Sequence, residues 1–207
     1  MTVNFGTAAS EFGTLVERVP RGALDGPGLG EWSLRELIGH TSRAISTVSD
    51  YLSAPEPATS TVHSASEYLE VVLRQQGDDE AIALRGRAAA QQLGDDPATA
   101  ISELFGDAVR ALALADPARL VAVGSDGRVA MPLREYLRTR VFELTVHGVD
   151  IADAAGLDWT PPSAHLIDAL HLAATNATAR DVGVEALRML TGRRPDAGLD
   201  GVLAAGR

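Results

Sequence analysis

Glu143 and His147 stand four residues apart in the run Arg140-Val-Phe-Glu-Leu-Thr-Val-His-Gly-Val-Asp150, and His40 stands far upstream. On a helix, positions i and i+4 project from one face, one turn apart. A carboxylate and an imidazole stacked in this way reach a single metal ion. A third ligand has to come from another element, and His40 is the candidate. Two imidazoles and one carboxylate suit a catalytic zinc that keeps one position open for water or substrate. Nickel, iron, cobalt and manganese accept the same donors, so the identity of the ion stays open. A second reading stands beside this one. Glu143 and His147 also fit a solvated i,i+4 pair, and His40 a packed histidine between helices.

Two neighbours extend the candidate site. Arg140 precedes Glu143 by three residues. It either pairs with that carboxylate, for about 0.2–0.5 kcal/mol on an exposed face, or steers an anionic substrate group. Asp150 follows His147 by three residues. It either accepts the ring N–H that a metal leaves unused, or is an exposed acid near a helix end. His63, His165 and His171 have no carboxylate at a telling spacing. Ser125-Asp-Gly127 reads as a turn rather than a nucleophile, since no base or oxyanion donor accompanies it. Arg193-Arg194 reads as an exposed basic patch.

The elements that must position these groups are helices. Phe5, Ala8, Phe12, Leu15 and Val19 repeat at helical spacing, so residues 4–19 are predicted to be amphipathic. Pro20 and the glycine-rich run from Gly22 to Gly30 break that helix. Ser33-Leu-Arg-Glu36 is a capping box opening a helix to about Leu52. Its buried stripe is Leu34, Leu37, Ile38, Ile45, Val48 and Leu52, and His40 flanks it. Ser64-Ala-Ser-Glu67 is a second capping box, for a helix that points Tyr68, Leu69, Val72 and Leu73 inward. Residues 78–92 are polar, alanine-rich and helical. Asp96-Pro97 starts another helix, with Ile101, Leu104, Phe105, Ala108 and Leu112 turned inside. Leu120–Val123 and Arg128–Met131 flank a turn and predict a small β-hairpin or an extended excursion. Pro132 then opens the helix that carries Glu143 and His147, with Leu133, Leu137, Val141, Leu144 and Ile151 beside them, and it ends near Gly156. Trp159-Thr-Pro-Pro162 is a stiff crossing. Helices over 163–178 and 184–190 follow.

Composition narrows the function. The chain has 207 residues and only 4% aromatics, so alanine, leucine and valine must fill most of the core, which favours packed helices. A net charge of −10 repels phosphate backbones and anionic lipid, so nucleic-acid and membrane partners are not expected. The expected partners are small molecules. There is no cysteine, so any metal must be held by His, Asp or Glu, and any reacting thiol must arrive with a ligand. No apolar run has the length of a membrane span, and the N-terminus has no basic start or apolar signal core. A cytoplasmic protein, monomer or homodimer, is expected. All 18 basic residues are arginine, the mark of a GC-rich genome.

Two segments carry a resemblance. Trp32-Ser-Leu-Arg-Glu-Leu-Ile-Gly-His40 is similar to the W-x-x-x-(D/E)-L-(hydrophobic)-x-H segment of the DinB-like metalloprotein superfamily. Arg140 to Asp150 resembles its R-x-x-E-x-x-x-H-x-x-D segment. The branch is the mycothiol-dependent maleylpyruvate isomerase-like family. The resemblance implies a mainly all-α fold: a DinB-like four-helix bundle with an up-down-down-up arrangement, here with a short β-hairpin excursion and additional C-terminal helices. It implies a bundle over 1–158 and a short helical extension over 159–207, or one domain over 1–207. It also implies a divalent metal, most often zinc, on His40, Glu143 and His147, with mycothiol as thiol co-substrate. Two features depart from the family pattern: little chain follows Gly192, and Val149 stands where many relatives carry an aromatic residue.

The expectation is therefore a metal-dependent transferase or isomerase that directs a thiolate at an electrophilic small molecule, with Arg140 and Asp150 assisting. A hydrolase activating water at the same site, and a non-enzymatic metal-stabilised bundle, are the alternatives.

Overall fold

The computed structural model describes residues 4–74, 79–124 and 127–193, and the side chains of these other than 73, 74 and 79–81. The described residues form eight α-helices and one hairpin: α1 (Phe5–Glu17), α2 (Leu34–Ser53), α3 (Ala65–Arg74), α4 (Asp79–Leu93), α5 (Pro97–Leu114), β1 (Leu120–Val123), β2 (Val129–Pro132), α6 (Leu133–Ala155), α7 (Ser163–Ala179) and α8 (Gly183–Leu190). The fold is mainly all-α, with a short β excursion, as its sequence predicts. The chain divides into two compact units, Met1–Ala169 and Leu170–Arg207.

In the first unit α1 packs on α5 and α6, and α2 packs on the same two helices from the other side. The four close a ring in the order α1, α5, α2, α6. Their inner faces bury Phe12, Leu15, Leu34, Leu37, Ile38, Ile45, Ile101, Leu144 and Ile151 to 2% exposure or less. Each such side chain contributes about 1.5–3 kcal/mol of transfer free energy. The hydrophobic stripe expected of α2 is buried in full.

Local chemistry sets the helix ends. Asn4 caps α1 by accepting from the Thr7 N–H at 3.2 Å. The Ser33–Glu36 capping box is complete, each side chain reaching the other residue's backbone N–H. At Ser64 the box is only half formed. Ser64 Oγ accepts from the Glu67 N–H, but the Glu67 carboxylate accepts from the His63 N–H instead of closing on Ser64. Gly156 ends α6 in the left-handed conformation at φ 66°, which costs glycine no steric strain.

α4 lies along α2 and α3 along α6. On α3, Leu69 is buried and Tyr68 packs on the core, but Val72 is 39% exposed, a correction to its predicted inward face. A ten-residue helix on the outside of a bundle has one narrow contact stripe, and Val72 falls beside it. The predicted inward position of Leu73 lies outside the described side chains. The hairpin pairs Val121 with Met131 and Ala122 with Ala130. It is widened by Thr61 and Val62, whose N–H groups both donate to the Ala130 carbonyl.

The α2–α4 seam is closed by small residues. A methyl group on Gly39 would stand 2.4 Å from the Ala90 nitrogen and 2.5 Å from its Cα. Backbone cannot swing away as a side-chain end can, so the helices would have to part. Gly39→Ala should therefore lower stability by about 1–3 kcal/mol, although alanine has the better helix propensity by about 1 kcal/mol. The urea midpoint reads it directly. A midpoint equal to or above wild type would mean that α4 does not seat on α2 in this way.

In the second unit, the end of α7 and α8 are joined by a tight turn at Asp181, φ 61°. The Asn176 side-chain amide donates to the Leu172 carbonyl along α7.

Among the described residues no helix is long and apolar enough to cross a membrane.

Candidate metal centre

His40 is presented from the second turn of α2, one residue after the glycine that admits α4. Trp32, just ahead of the Ser33 cap, tilts its ring over the imidazole at 4.6 Å between centroids. On α4, Gly86 leaves room beside it: a methyl there would lie 3.4 Å from the His40 Cβ. Glu143 and His147 come from the middle of α6. Trp159, beyond the end of α6, folds back so closely on Gly148 that a Cβ there would meet its ring at 2.7 Å. An aromatic wall thus stands against His40, and Trp159 packs on α6 at the residue after His147.

The structure brings His40, Glu143 and His147 together. One ligand atom from each lies within 4.8 Å of the others. The His40 and His147 rings meet edge to face at 5.1 Å. His147 Nε2 lies 3.4 Å from Glu143 Oε2. Two donors bound to one ion at about 2.0–2.1 Å in tetrahedral geometry stand about 3.4 Å apart, so this edge is already of the right length for a shared cation.

Protonation states agree with that use. Burial, reinforced by the nearby His147 charge, pulls His40 down to about 4, so it is a neutral imidazole with a free lone pair. Its Nδ1 is buried and has no hydrogen-bond partner among the described residues. For Glu143 burial opposes ionisation, but the hydrogen bond with His147 and the charge of Arg140 outweigh it and hold the carboxyl at about 2. For His147 burial opposes the charged form, and hydrogen bonds to Glu143 and Asp150 overcome it, raising the imidazole above its ordinary value. Without a metal, His147 bridges two carboxylates, which favour its protonated form. The three donors fit a divalent ion: one anionic oxygen, one neutral imidazole and one imidazole that becomes neutral on losing a proton.

Asp150 takes the place expected of a supporting acid. His147 Nδ1 and Asp150 Oδ2 are 2.9 Å apart. The Nδ1–H donates to that carboxylate, which fixes the ring and turns the Nε2 lone pair toward Glu143 and His40. Asp150→Ala should weaken divalent-ion affinity about 10–100-fold while leaving the stoichiometry at saturation unchanged. Competition with a chromogenic chelator measures this. Unaltered affinity would make the Asp150 contact incidental.

Arg140 forms no ion pair with Glu143 among the described residues, although its charge acts on that carboxylate. Its Nε donates to Thr139 Oγ1 at 3.1 Å, and its guanidinium stands over the Tyr136 ring at 4.9 Å and the Tyr68 ring at 5.9 Å. Tyr136 is itself locked. Thr47 Oγ1 donates to the Arg43 carbonyl at 2.6 Å, so the Tyr136 hydroxyl, also 2.6 Å away, must be the donor to Thr47. Tyr51 packs on Tyr136 at 5.5 Å and accepts from the Gly124 N–H of the hairpin. All three tyrosines of the chain stand in this one cluster. Tyr51 and Trp159 had no motif to mark them. The signal available in the sequence was scarcity, because a chain with so few aromatics places them where a shaped wall is needed.

The remaining candidates stay apart from the triad. His63 is exposed in the loop before α3, His165 is buried in the first turn of α7, and His171 is exposed on α7. Ser125, Asp126 and Arg194 lie outside the described residues; Arg193 is exposed beyond α8.

Neither the curated proteins nor the solved structures returned a match. The family model described as "Mycothiol maleylpyruvate isomerase N-terminal domain" matches residues 5–152. That span runs from the first residue of α1 to the last turn of α6, and takes in both helices that bear the triad. The chain belongs to the mycothiol maleylpyruvate isomerase N-terminal domain family.

Proposed function

We propose that this protein is a divalent-metal-dependent transferase or isomerase, acting in the cytoplasm, that uses a low-molecular-weight thiol, mycothiol, against an electrophilic small molecule. The observation that carries the proposal is the convergence of His40 from α2 with Glu143 and His147 from α6, in a chain of this family. These three side chains would hold the ion, zinc above the other divalent metals. A divalent cation there supplies positive charge that favours the thiolate over the thiol at neutral pH.

The chain's own residues do the rest. Asp150 keeps His147 in one tautomer. Trp32 covers the His40 imidazole with apolar surface, which strengthens charge interactions beside it. The absence of cysteine leaves the incoming thiol without a competing thiol from the chain. The thiolate adds to an electrophilic carbon: a C–S bond forms and the π pair of the substrate moves onto its carbonyl oxygen. In an isomerase, rotation about the former double bond follows. The pair then returns, the C–S bond breaks and the thiolate is regenerated. In a transferase, the carbanionic carbon takes a proton from solvent and the thioether leaves.

Hydrolysis at the same ion would need a general base for water. Asp150 is the acid beside the triad on α6, and it is committed to the His147 N–H. The thiol reading is therefore the better supported. Cobalt substitution tests it. Titrating mycothiol into the cobalt-loaded protein should raise a near-ultraviolet sulfur-to-cobalt band in wild type, and none in Glu143→Ala. An unchanged spectrum at millimolar mycothiol, with turnover of an ester or amide by water, would give the site to hydrolysis.

A further inference from the structure

The two imidazoles of the triad are supported in different ways. His147 is oriented by hydrogen bonding, its Nδ1–H donating to Asp150 at 2.9 Å. His40 has no such acid: its Nδ1 is buried without a hydrogen-bond partner among the described residues. An imidazole turns about two side-chain torsions, the outer one broad and roughly two-fold. A ring that must meet His147 and Glu143 in one orientation therefore needs a restraint of another kind. The Trp32 ring centre stands 4.6 Å from that of His40, tilted by 40°, at the short end of the range in which aromatic rings attract each other.

Trp32 is itself held by backbone. The glycine-rich run between α1 and α2 folds back on the first turn of α2: the Leu34 N–H donates to the Gly26 carbonyl at 2.9 Å, and the Arg35 N–H to the Leu24 carbonyl at 2.8 Å. Inside that loop the Gly28 N–H donates to the Trp32 carbonyl at 2.8 Å, and the Trp32 N–H to the Leu29 carbonyl at 3.0 Å. Both main-chain polar groups of Trp32 are thus bonded within the loop. Gly30 turns the chain at φ 60°. Gly28 lets the two arms touch: a Cβ there would lie 2.6 Å from the Ser33 oxygen and 2.9 Å from the Leu34 nitrogen. α4 borders the same pair of rings. A methyl on Gly86 would stand 3.7 Å from Trp32 Cζ2 and 3.4 Å from the His40 Cβ. Arg87 Nε donates to Glu36 at 3.1 Å, which pins α4 to the cap that follows the indole.

We propose that Trp32 is the positioning residue of His40, and that the closed loop over residues 26–32 fixes the indole for that purpose. Ring contact does for His40 what the Asp150 hydrogen bond does for His147. The two devices differ in one respect. A carboxylate partner raises the basicity of an imidazole as well as orienting it, whereas an indole orients the ring and adds no negative charge. The value of this restraint to a bound ion rests on the metal function above; the restraint on the ring does not.

Two measurements test it: three-bond couplings across χ1 of His40 in metal-free protein, and zinc affinity by competition with a chromogenic chelator. Wild type should show a single His40 rotamer. Trp32→Leu should show averaged couplings and bind zinc about tenfold more weakly, with the stoichiometry at saturation unchanged. Trp32→Phe, which keeps a ring face, should lie closer to wild type in both. Gly28→Ala keeps the indole but forces the loop apart, and it should reproduce the Trp32→Leu result. Urea midpoints identify the variants that are folded under the conditions used; if either Trp32→Leu or Gly28→Ala fails to fold, the other carries the test. A His40 ring that keeps one rotamer without the indole, an unchanged zinc affinity in Trp32→Leu, or a Trp32→Phe protein no closer to wild type than Trp32→Leu overturns the proposal. Absence of zinc binding by the wild type would count against the metal function, and the couplings would then decide the restraint alone.

Discussion

His147→Ala should reduce the divalent-ion content of the purified protein from about one per chain to near none after exchange into metal-free buffer. The ring joins the other two donors: it meets the His40 ring in a T-shaped pair, lies 3.4 Å from the Glu143 carboxylate, and is fixed from behind by Asp150. Its removal deletes a ligand and leaves Glu143 without the partner that most stabilises its charge. Elemental analysis of wild type and variant side by side settles the matter. Equal metal in both would overturn the assignment of the triad. The same chelated protein should keep its helical circular dichroism, since the buried core of α1, α2, α5 and α6 lies within the ring of helices and owes nothing to the ion. Loss of the helical signal on chelation would make the metal structural.

Metal affinity should fall about tenfold for each unit of pH below the raised value of His147, with one proton released per ion bound. The sign follows from competition. An ion needs both imidazoles neutral, and a proton on either must leave. Glu143, at about 2, is ionised throughout this range, and His40, at about 4, is neutral through it. His147 alone, raised above 6.5, carries the competing proton. The slope should therefore be one until the pH nears 4, where His40 begins to compete and the slope steepens. Two histidines at the ordinary value would instead release two protons per ion at about pH 5.5. Titration calorimetry in buffers of different ionisation enthalpy counts them. Two protons at that pH would contradict the buried, neutral His40.

Local rules carried much of this fold into view from the sequence. The Ser33–Glu36 box, the Asp96-Pro97 start and the Gly156 stop act through neighbouring backbone, so they are readable without knowing what lies across the bundle. The hydrophobic stripe of α2 was legible for the same reason, being a matter of period. Of the site, the i,i+4 pair on α6 was visible as spacing. His40 was the candidate third ligand because it flanks the buried stripe of a capped helix, and the resemblance of the Trp32–His40 segment supported it. What stayed hidden depends on contacts between elements with no shared period. The alanine-rich stretch before Leu93 gave no sign that Gly39 and Gly86 let it lie against His40's helix. The half-formed box at Ser64 shows the converse: the motif was present, and Glu67 found a better donor one residue earlier, at His63.

The placement of the two tryptophans has a practical consequence. The chain has only Trp32 and Trp159. One lies against His40 and the other against the residue following His147. Indole emission from the whole protein therefore comes from Trp32, in ring contact with His40, and Trp159, packed on α6 at the residue after His147. A paramagnetic ion such as copper or cobalt held by the triad should quench the Trp32 emission, whereas zinc should shift it without extinguishing it. The unmodified protein thus carries its own optical gauge of site occupancy, with a single second indole to account for.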